Sequence, residues 1–279
     1  MALISASIDF GTTYSGWAYS FKHDYEKDPT DVKAKHWPAH QFISSKAPTI
    51  IILRSDGTTV EAFGYEAETR YLQLIETNRH TEYFCFHFFK MTLYNEKNIG
   101  KHTLIKDIAG REMRALDVFA SAMKWLKDDL LSALNDKYTG GIHLTDIHWV
   151  ITVPAIWSET AKQFMRIAAR EAGIEMGRLN LALEPEAASI FCRHTNMQRS
   201  ETSSSVDMSK FPPGTRYAVC DAGGGTVDIT VHEITSDNRL KEVSKASGGA
   251  FGGLKVNEAF EMLMDSVAGC DLIKHLKIE

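Results

Sequence analysis

The sequence predicts an α/β fold of two lobes built on one plan, and three observations predict it. A strand, an Asp-x-Gly turn and a second strand surround Asp9 and Gly11, and the same unit returns around Asp221 and Gly223 at a constant offset of 212 residues. The continuous apolar run Ile147 to Val153, stopped by Pro154, reads as a buried central strand. Helical periodicity fills the intervals between such runs. A length of 279 residues fits roughly two domains of about 150 residues. With 44% hydrophobic and 24% charged residues, the composition is that of an ordered globular chain.

Taken in order, Ala2 to Ile8 is strand-like, Asp9 to Thr13 is a turn, and Ser15 to Phe21 is a second β-rich run. Ala47 to Leu53 and Thr59 to Gly64 form a strand pair around Ser55-Asp56-Gly57, and residues 65–94 read as helical and aromatic-rich. Leu116, Phe119, Met123, Leu126, Leu130 and Leu134 recur every three or four residues and mark one long amphipathic helix. Ser158 caps a further helix whose inward face is Ala161, Phe164, Met165, Ala168 and Ala172, ended by Gly173. Leu179 to Leu183 is a short strand that feeds a helix with Pro185 at its start. The run of Ser and Thr at 200–205 and Pro212-Pro213-Gly214 form a polar connector, after which Tyr217 to Cys220 and Val227 to Ile234 repeat the opening strand pair. The expected organisation is a first lobe over 1–197 with an inserted subdomain at about 40–113, a linker over 198–215, and part of a second lobe over 216–279.

A net charge of −5 leaves no electrostatic footprint for nucleic acid or an anionic membrane. No apolar run approaches the ~18 residues of a membrane span, and Met1 to Ser7 has no basic region, so neither a span nor a signal peptide is expected. Cys85, Cys192, Cys220 and Cys270 are far apart, and no N-glycosylation sequon occurs. This pattern predicts a cytoplasmic chain with buried, reduced thiols.

The chemistry concentrates in the two turns. Gly11 lets the backbone approach a ligand closely, successive N–H groups form an anion site, and Thr12 and Thr13 add hydroxyl donors. Asp9 beside a bound phosphate makes sense with a cation between them, and Mg²⁺ needs only one or two carboxylates because it keeps several waters. The second turn repeats this with Gly223, Gly224, Gly225 and Thr226 between Asp221 and Asp228. Each turn alone is equally well a tight hairpin; two in register point to a ligand. Other chemistries lack their signatures: there is no P-loop, no G-x-G-x-x-G and no G-x-S-x-G elbow, and Ser236 stands where a His232-Glu233 zinc motif needs its second histidine. His80, Cys85 and His87 are read as a cluster on an aromatic helix, a poor fit to the four convergent ligands of a zinc site.

Ile8-Asp9-Phe10-Gly11-Thr12-Thr13-Tyr14-Ser15 and Asp221 to Asp228 resemble the two phosphate motifs of the actin, sugar-kinase and seventy-kilodalton heat-shock superfamily. Ile151-Thr152-Val153-Pro154-Ala155 and Leu183-Glu184-Pro185-Glu186-Ala187-Ala188 resemble the heat-shock branch, and Val153 to Trp157 with Ala161 to Arg166 look like its divergent 12A and 12B subfamily. The resemblance implies ribonuclease-H-like duplicated lobes, ATP or ADP and Mg²⁺ as ligands, a chaperone-like ATPase activity, and protein partners such as co-chaperones. By the same resemblance Thr12, Thr13 and Tyr14 line the phosphate site from one lobe and Gly223, Gly224, Gly225 and Thr226 from the other. Lys90 matches the lysine facing the γ-phosphate and attacking water, Glu184 a glutamate near the metal, and Asp9 and Asp221 the metal-side carboxylates. Lys90 is also readable as a helix lysine with its stem on apolar surface, and Glu184 as a first-turn glutamate favoured by the helix dipole.

Departures from the family pattern qualify the expectation. Lys162 stands in place of a linker arginine and loses its bidentate geometry. The expected second lobe ends at Glu279 without the adenosine-binding glycine motif, so Val227, Ile229, Val231, Phe260 and Leu263 are expected to be under-covered and hydrolysis by the chain alone to be slow. A nucleotide-binding interaction module with weak or no hydrolysis is the alternative, and a sugar kinase of the same superfold is a weaker one.

Overall fold

A computed structural model describes residues 2–39, 42–96, 98–194, 196–198, 205–207 and 211–269. Residues 199–204 and 208–210 of the expected linker, and Cys270, lie outside the described residues. In chain order the strands that carry the architecture begin with β1 (Ile4–Phe10), β2 (Tyr14–Phe21), β3 (Lys33–Ala34), β4 (Ala47–Pro48), β5 (Ile50–Arg54) and β6 (Val60–Phe63). They continue with β7 (Tyr83–His87), β8 (Ile147–Val153), β9 (Leu179–Leu183), β10 (Arg216–Ala222), β11 (Val227–Ile234) and β12 (Leu240–Gly249). The main helices are α1 (Tyr65–Glu76), α2 (Ala115–Lys137), α3 (Glu159–Glu171), α4 (Glu184–His194) and α5 (Gly253–Ala268).

The first sheet has the order β9-β8-β1-β2-β3, with β4 added to β2. β1 and β2 form the antiparallel hairpin expected around the Asp9 turn, and β1 pairs in parallel with β8 from Ile4↔Ile147 to Ile8↔Ile151. Every second residue of β1 (Ile4, Ala6, Ile8, Phe10) is buried, as the pleat requires for a strand whose one face meets helices. Leu116, Phe119, Met123, Leu126, Leu130 and Leu134 of α2 all turn into that core, together with the predicted inward face of α3. Ser158 caps α3 as expected, its Oγ accepting from the Ala161 N–H at 3.2 Å.

Phe119 sits at the centre, its ring 5.1 Å from Phe89, 5.3 Å from Phe164 and 5.7 Å from Phe10. Phe119→Ala removes a fully buried ring from a packed cluster, and the expected loss is about 3–5 kcal/mol of folding stability. Urea unfolding should show a lower midpoint at an unchanged slope; a loss under about 1 kcal/mol would mean that the cluster repacks.

One sequence expectation is corrected between 65 and 94. Only Tyr65–Glu76 is a long helix there; Tyr83–His87 is strand β7, antiparallel to β5 with Ile52 opposite Cys85. Short aromatic runs have no decisive period, and the open edge of β5 decides in favour of a strand. The cluster of His80, Cys85 and His87 goes with it: Cys85 is buried while His87 is exposed, and no group of metal-holding side chains occurs among the described residues. This second sheet, β6-β5-β7, carries its own small core of Ile50, Ile52, Ala62, Ala67, Leu74 and Cys85 beneath α1.

The third sheet, β10-β11-β12, is an antiparallel meander that repeats the opening hairpin, with Asp221 opposite Asp228. α5 follows it with Val256, Phe260, Leu263 and Val267 all exposed, and Ile229 is exposed as well, whereas Val227 and Val231 are half-buried. The thiols also depart from expectation. Cys85 is buried, and burial pushes its thiol up to about 12, but Cys192 is only half-buried and Cys220 is exposed on the outward-facing side of β10. Among the described residues no helix is long and apolar enough to cross a membrane.

Candidate functional site

The two hairpin turns face each other across a cleft of about 720 Å³, and every residue singled out for the phosphate and metal roles except Asp228 lines it. From one side come Asp9, Gly11, Thr12, Thr13 and Tyr14; from the other Asp221, Gly223, Gly224, Gly225 and Thr226; Lys90 and Glu184 lie between. Asp228 does not join them. Its Oδ2 accepts from the Ala155 N–H at 2.7 Å, so it ties β11 to the segment after β8, and burial raises its carboxyl.

Glycine is required where the turns meet. A Cβ on Gly224 would lie 2.2 Å from Thr13 Oγ1, and one on Gly225 would lie 2.5 Å from Met91 Sδ and 2.6 Å from Thr12 Oγ1. The second turn is braced from behind by the start of α5. The N–H groups of Gly252, Gly253 and Leu254 donate to the carbonyls of Gly225, Gly223 and Gly224, at 3.3, 3.1 and 2.9 Å. The first turn is braced by two buried hydroxyls: Thr49 Oγ1 donates to the Gly11 carbonyl at 2.9 Å and lies 2.7 Å from Ser15 Oγ.

Lys90 is no surface lysine. It sits in a short 3₁₀ turn, only 3% exposed, its Nζ 2.9 Å from Glu184 Oε1 and 5.0 Å from the centre of the Trp157 ring. A buried ammonium is tolerated because a carboxylate and an aromatic face replace its water. Glu184 heads α4 as a first-turn glutamate should, and it also supplies this partner. Burial raises the Glu184 carboxyl, with repulsion from Asp9 and Asp221 adding to the rise and Lys90 opposing it.

The two aspartates are not equivalent. At Asp9 burial works against the charge, but Lys46 and hydrogen bonds outweigh it and hold the carboxyl below its usual range. Its Oδ2 is 2.5 Å from Lys46 Nζ, and its Oδ1 accepts from Thr152 Oγ1 at 2.7 Å. Among the described residues no ammonium is bonded to Asp221, and burial followed by repulsion from Asp9 raises its carboxyl against the pull of Lys46 and Lys90.

Lys46, Thr49, Thr152 and Ser15 were not legible as site residues. Thr152 carried a signal only in lying inside the Ile151 to Ala155 motif; its place beside Asp9 is set by the parallel pairing of Ile8 with Ile151. Lys46 and Thr49 had none, because only the pairing of β4 with the start of β2 brings them to the turn. Lys162, expected from the resemblance to stand for a linker arginine, bonds Glu159 on its own helix at 3.0 Å.

No protein-family model matches the chain. Human heat shock 70 kDa protein 12A is 34% identical over 99% of this chain and 47% of its own length. The chain is homologous to the heat shock 70 kDa proteins 12A and 12B. The human 12B protein is 33% identical over 98% of the chain and 46% of its own length, so the chain spans about half the length of these curated relatives. Among solved structures, MreB5 of Spiroplasma citri bound to ADP superposes with a TM-score of 0.53 at 12% identity, covering 95% of this chain and 57% of that one. The fold is therefore that of the actin-like ATPases, in agreement with the α/β fold that the duplicated turns predict. This heat shock 70 homologue presents its two turns on opposite walls of one cleft.

Proposed function

We propose that the cleft binds ATP and ADP by their phosphates, with Mg²⁺, as the nucleotide site of a chaperone-like ATPase. The observation that carries this reading is the close approach of the two glycine turns, Gly224 on Thr13 and Gly225 on Thr12, with the Lys90–Glu184 pair between them. The carbonyls of the second turn are engaged by the start of α5, and among the described residues the amides of Gly224 and Gly225 donate to no backbone carbonyl, so they can meet phosphate oxygens. Thr12 and Thr13 supply hydroxyl donors from the opposite wall. The ADP bound by MreB5 and the heat shock 70 relationship support the same ligand class.

The donor set fits Mg²⁺. Among the described residues no three carboxylate, His or Cys side chains converge as a closed cage, and Mg²⁺ asks for none: one or two carboxylates, waters and phosphate oxygens suffice. Asp9 and Asp221, close enough to repel each other, would hold it, with Glu184 nearby. When bound, the ion would neutralise charge on the phosphates. Lys90 would orient a water in line with the γ-phosphorus while Glu184 holds the ammonium in place, and the two turns would fix the leaving diphosphate. Such hydrolysis rests on positioning and electrostatics rather than covalent chemistry. Protein partners and co-chaperones belong to the same proposal and rest on the 12A and 12B relationship.

Calorimetric titration of ADP tests the reading. Asp9→Asn is expected to weaken binding about tenfold with Mg²⁺ present, roughly 1.4 kcal/mol, and by less in EDTA. Equal losses in the two buffers would show that the carboxylate serves the turn and not a cation.

A further inference from the structure

Among the described residues, Lys46 is the one charged residue of the cleft that belongs neither to the turns nor to the Lys90–Glu184 pair. The cleft is lined by the carboxylates of Asp9, Glu184 and Asp221 and by the ammonium groups of Lys46 and Lys90. Lys90 is committed to Glu184, so Lys46 is the cation left for the phosphate side, and it lies on Asp9. Its placement is built. β4 pairs with the first residues of β2 through Ser15↔Ala47 and Tyr14↔Pro48, which brings residue 46 alongside the turn. Directly opposite Asp9 in the hairpin is Gly16, and a Cβ there would lie 2.8 Å from the Ser45 carbonyl oxygen and 3.3 Å from Lys46 Cγ. The missing side chain is the space through which the lysine stem crosses β2 to reach Asp9. The second hairpin has no counterpart: Asp228 occupies the position opposite Asp221.

We propose that Lys46 is a tethered counter-cation of the phosphate site, neutralising Asp9 when no nucleotide is bound and sharing the charge of a bound di- or triphosphate with the divalent cation. The ammonium is a compact charge on a flexible four-carbon stem, and the side chain is about half-exposed, so it can stay on Asp9 or swing to a phosphate oxygen. In either position it leaves one positive charge in a cleft rich in carboxylates. Removing it therefore makes nucleotide binding lean harder on the metal.

The inference rests on the nucleotide reading, and ADP titrations in Mg²⁺ and in EDTA separate the two. Lys46→Met is expected to weaken ADP binding about tenfold in EDTA and by no more than about threefold in Mg²⁺, so that the metal dependence rises relative to the unsubstituted chain. Lys46→Arg, which keeps the charge, is expected to restore most of the affinity in EDTA. An equal effect of Lys46→Met in both buffers, or tighter binding in Mg²⁺, would overturn the role of Lys46 and leave the nucleotide site standing. Absence of ADP binding by the unsubstituted chain in either buffer would overturn both.

Discussion

Replacing Lys90 with methionine is expected to cost about 3 kcal/mol of folding stability and to abolish phosphate release from ATP. The stability loss follows from burial. Lys90 is 3% exposed and is the bonded partner of Glu184, so its removal leaves a half-buried carboxyl without its bonded ammonium and with Asp9 and Asp221 nearby. Burial already raises the Glu184 carboxyl, and losing Lys90 raises it further. A carboxyl raised in the folded state favours folding at low pH, and that advantage disappears as pH climbs through the folded value. The Lys90→Met variant should thus be hurt more at pH 8 than at pH 5. Adding Glu184→Gln should recover much of the stability and none of the turnover, because a neutral pair fills the site without orienting water. Urea unfolding at two pH values and single-turnover phosphate release are the measurements. Full turnover in the Lys90 variant would remove that lysine from the proposed mechanism.

Gly224→Val is the second large expectation: a loss of about 100-fold in ADP affinity, close to 2.7 kcal/mol. A Cβ at this position would sit 2.2 Å from Oγ1, 2.5 Å from Cγ2 and 2.9 Å from Cβ of Thr13, and valine adds two methyl groups. The clash is with a short β-branched side chain that has little rotamer freedom, so the turns must separate. Positioning is the main resource of a phosphate site, and a separation of about an ångström is expensive. Thr13→Ala added to Gly224→Ala removes the two shortest contacts and leaves only the one at 2.9 Å to Cβ, so it should return part of the affinity. ADP titration of the three variants checks this, and unchanged affinity in Gly224→Val would mean that the two turns do not grip one ligand.

Much of this could be read from residue order because the signals are local. The turn at Asp9 and its echo at Asp221 need only glycine at fixed places between β-rich runs, and both hairpins form as expected. The i, i+3 and i+4 spacing from Leu116 to Leu134 is a property of a single helix, and every one of those residues is buried. The strand Tyr83–His87 escaped notice because its identity depends on β5, some thirty residues earlier in the chain. The thiols were misjudged for a related reason: whether Cys220 points in or out depends on which face of β10 is covered.

Residue order by itself determined the duplicated strand–turn–strand plan, the helices with strong period, and the residue types at the two glycine turns, since each is written within about twenty consecutive positions. Only the tertiary structure decided which charges meet. Lys90 and Glu184 are 94 positions apart, and Asp9 and Thr152 are 143 apart, yet each pair forms a hydrogen bond. Lys46 reaches Asp9 through the gap left by Gly16, a path that exists only once β4 has paired with β2. Charge pairing follows distance in space, and distance in space is set by sheet register and by the packing of α2 and α3 on the first sheet, neither of which any local stretch of sequence contains.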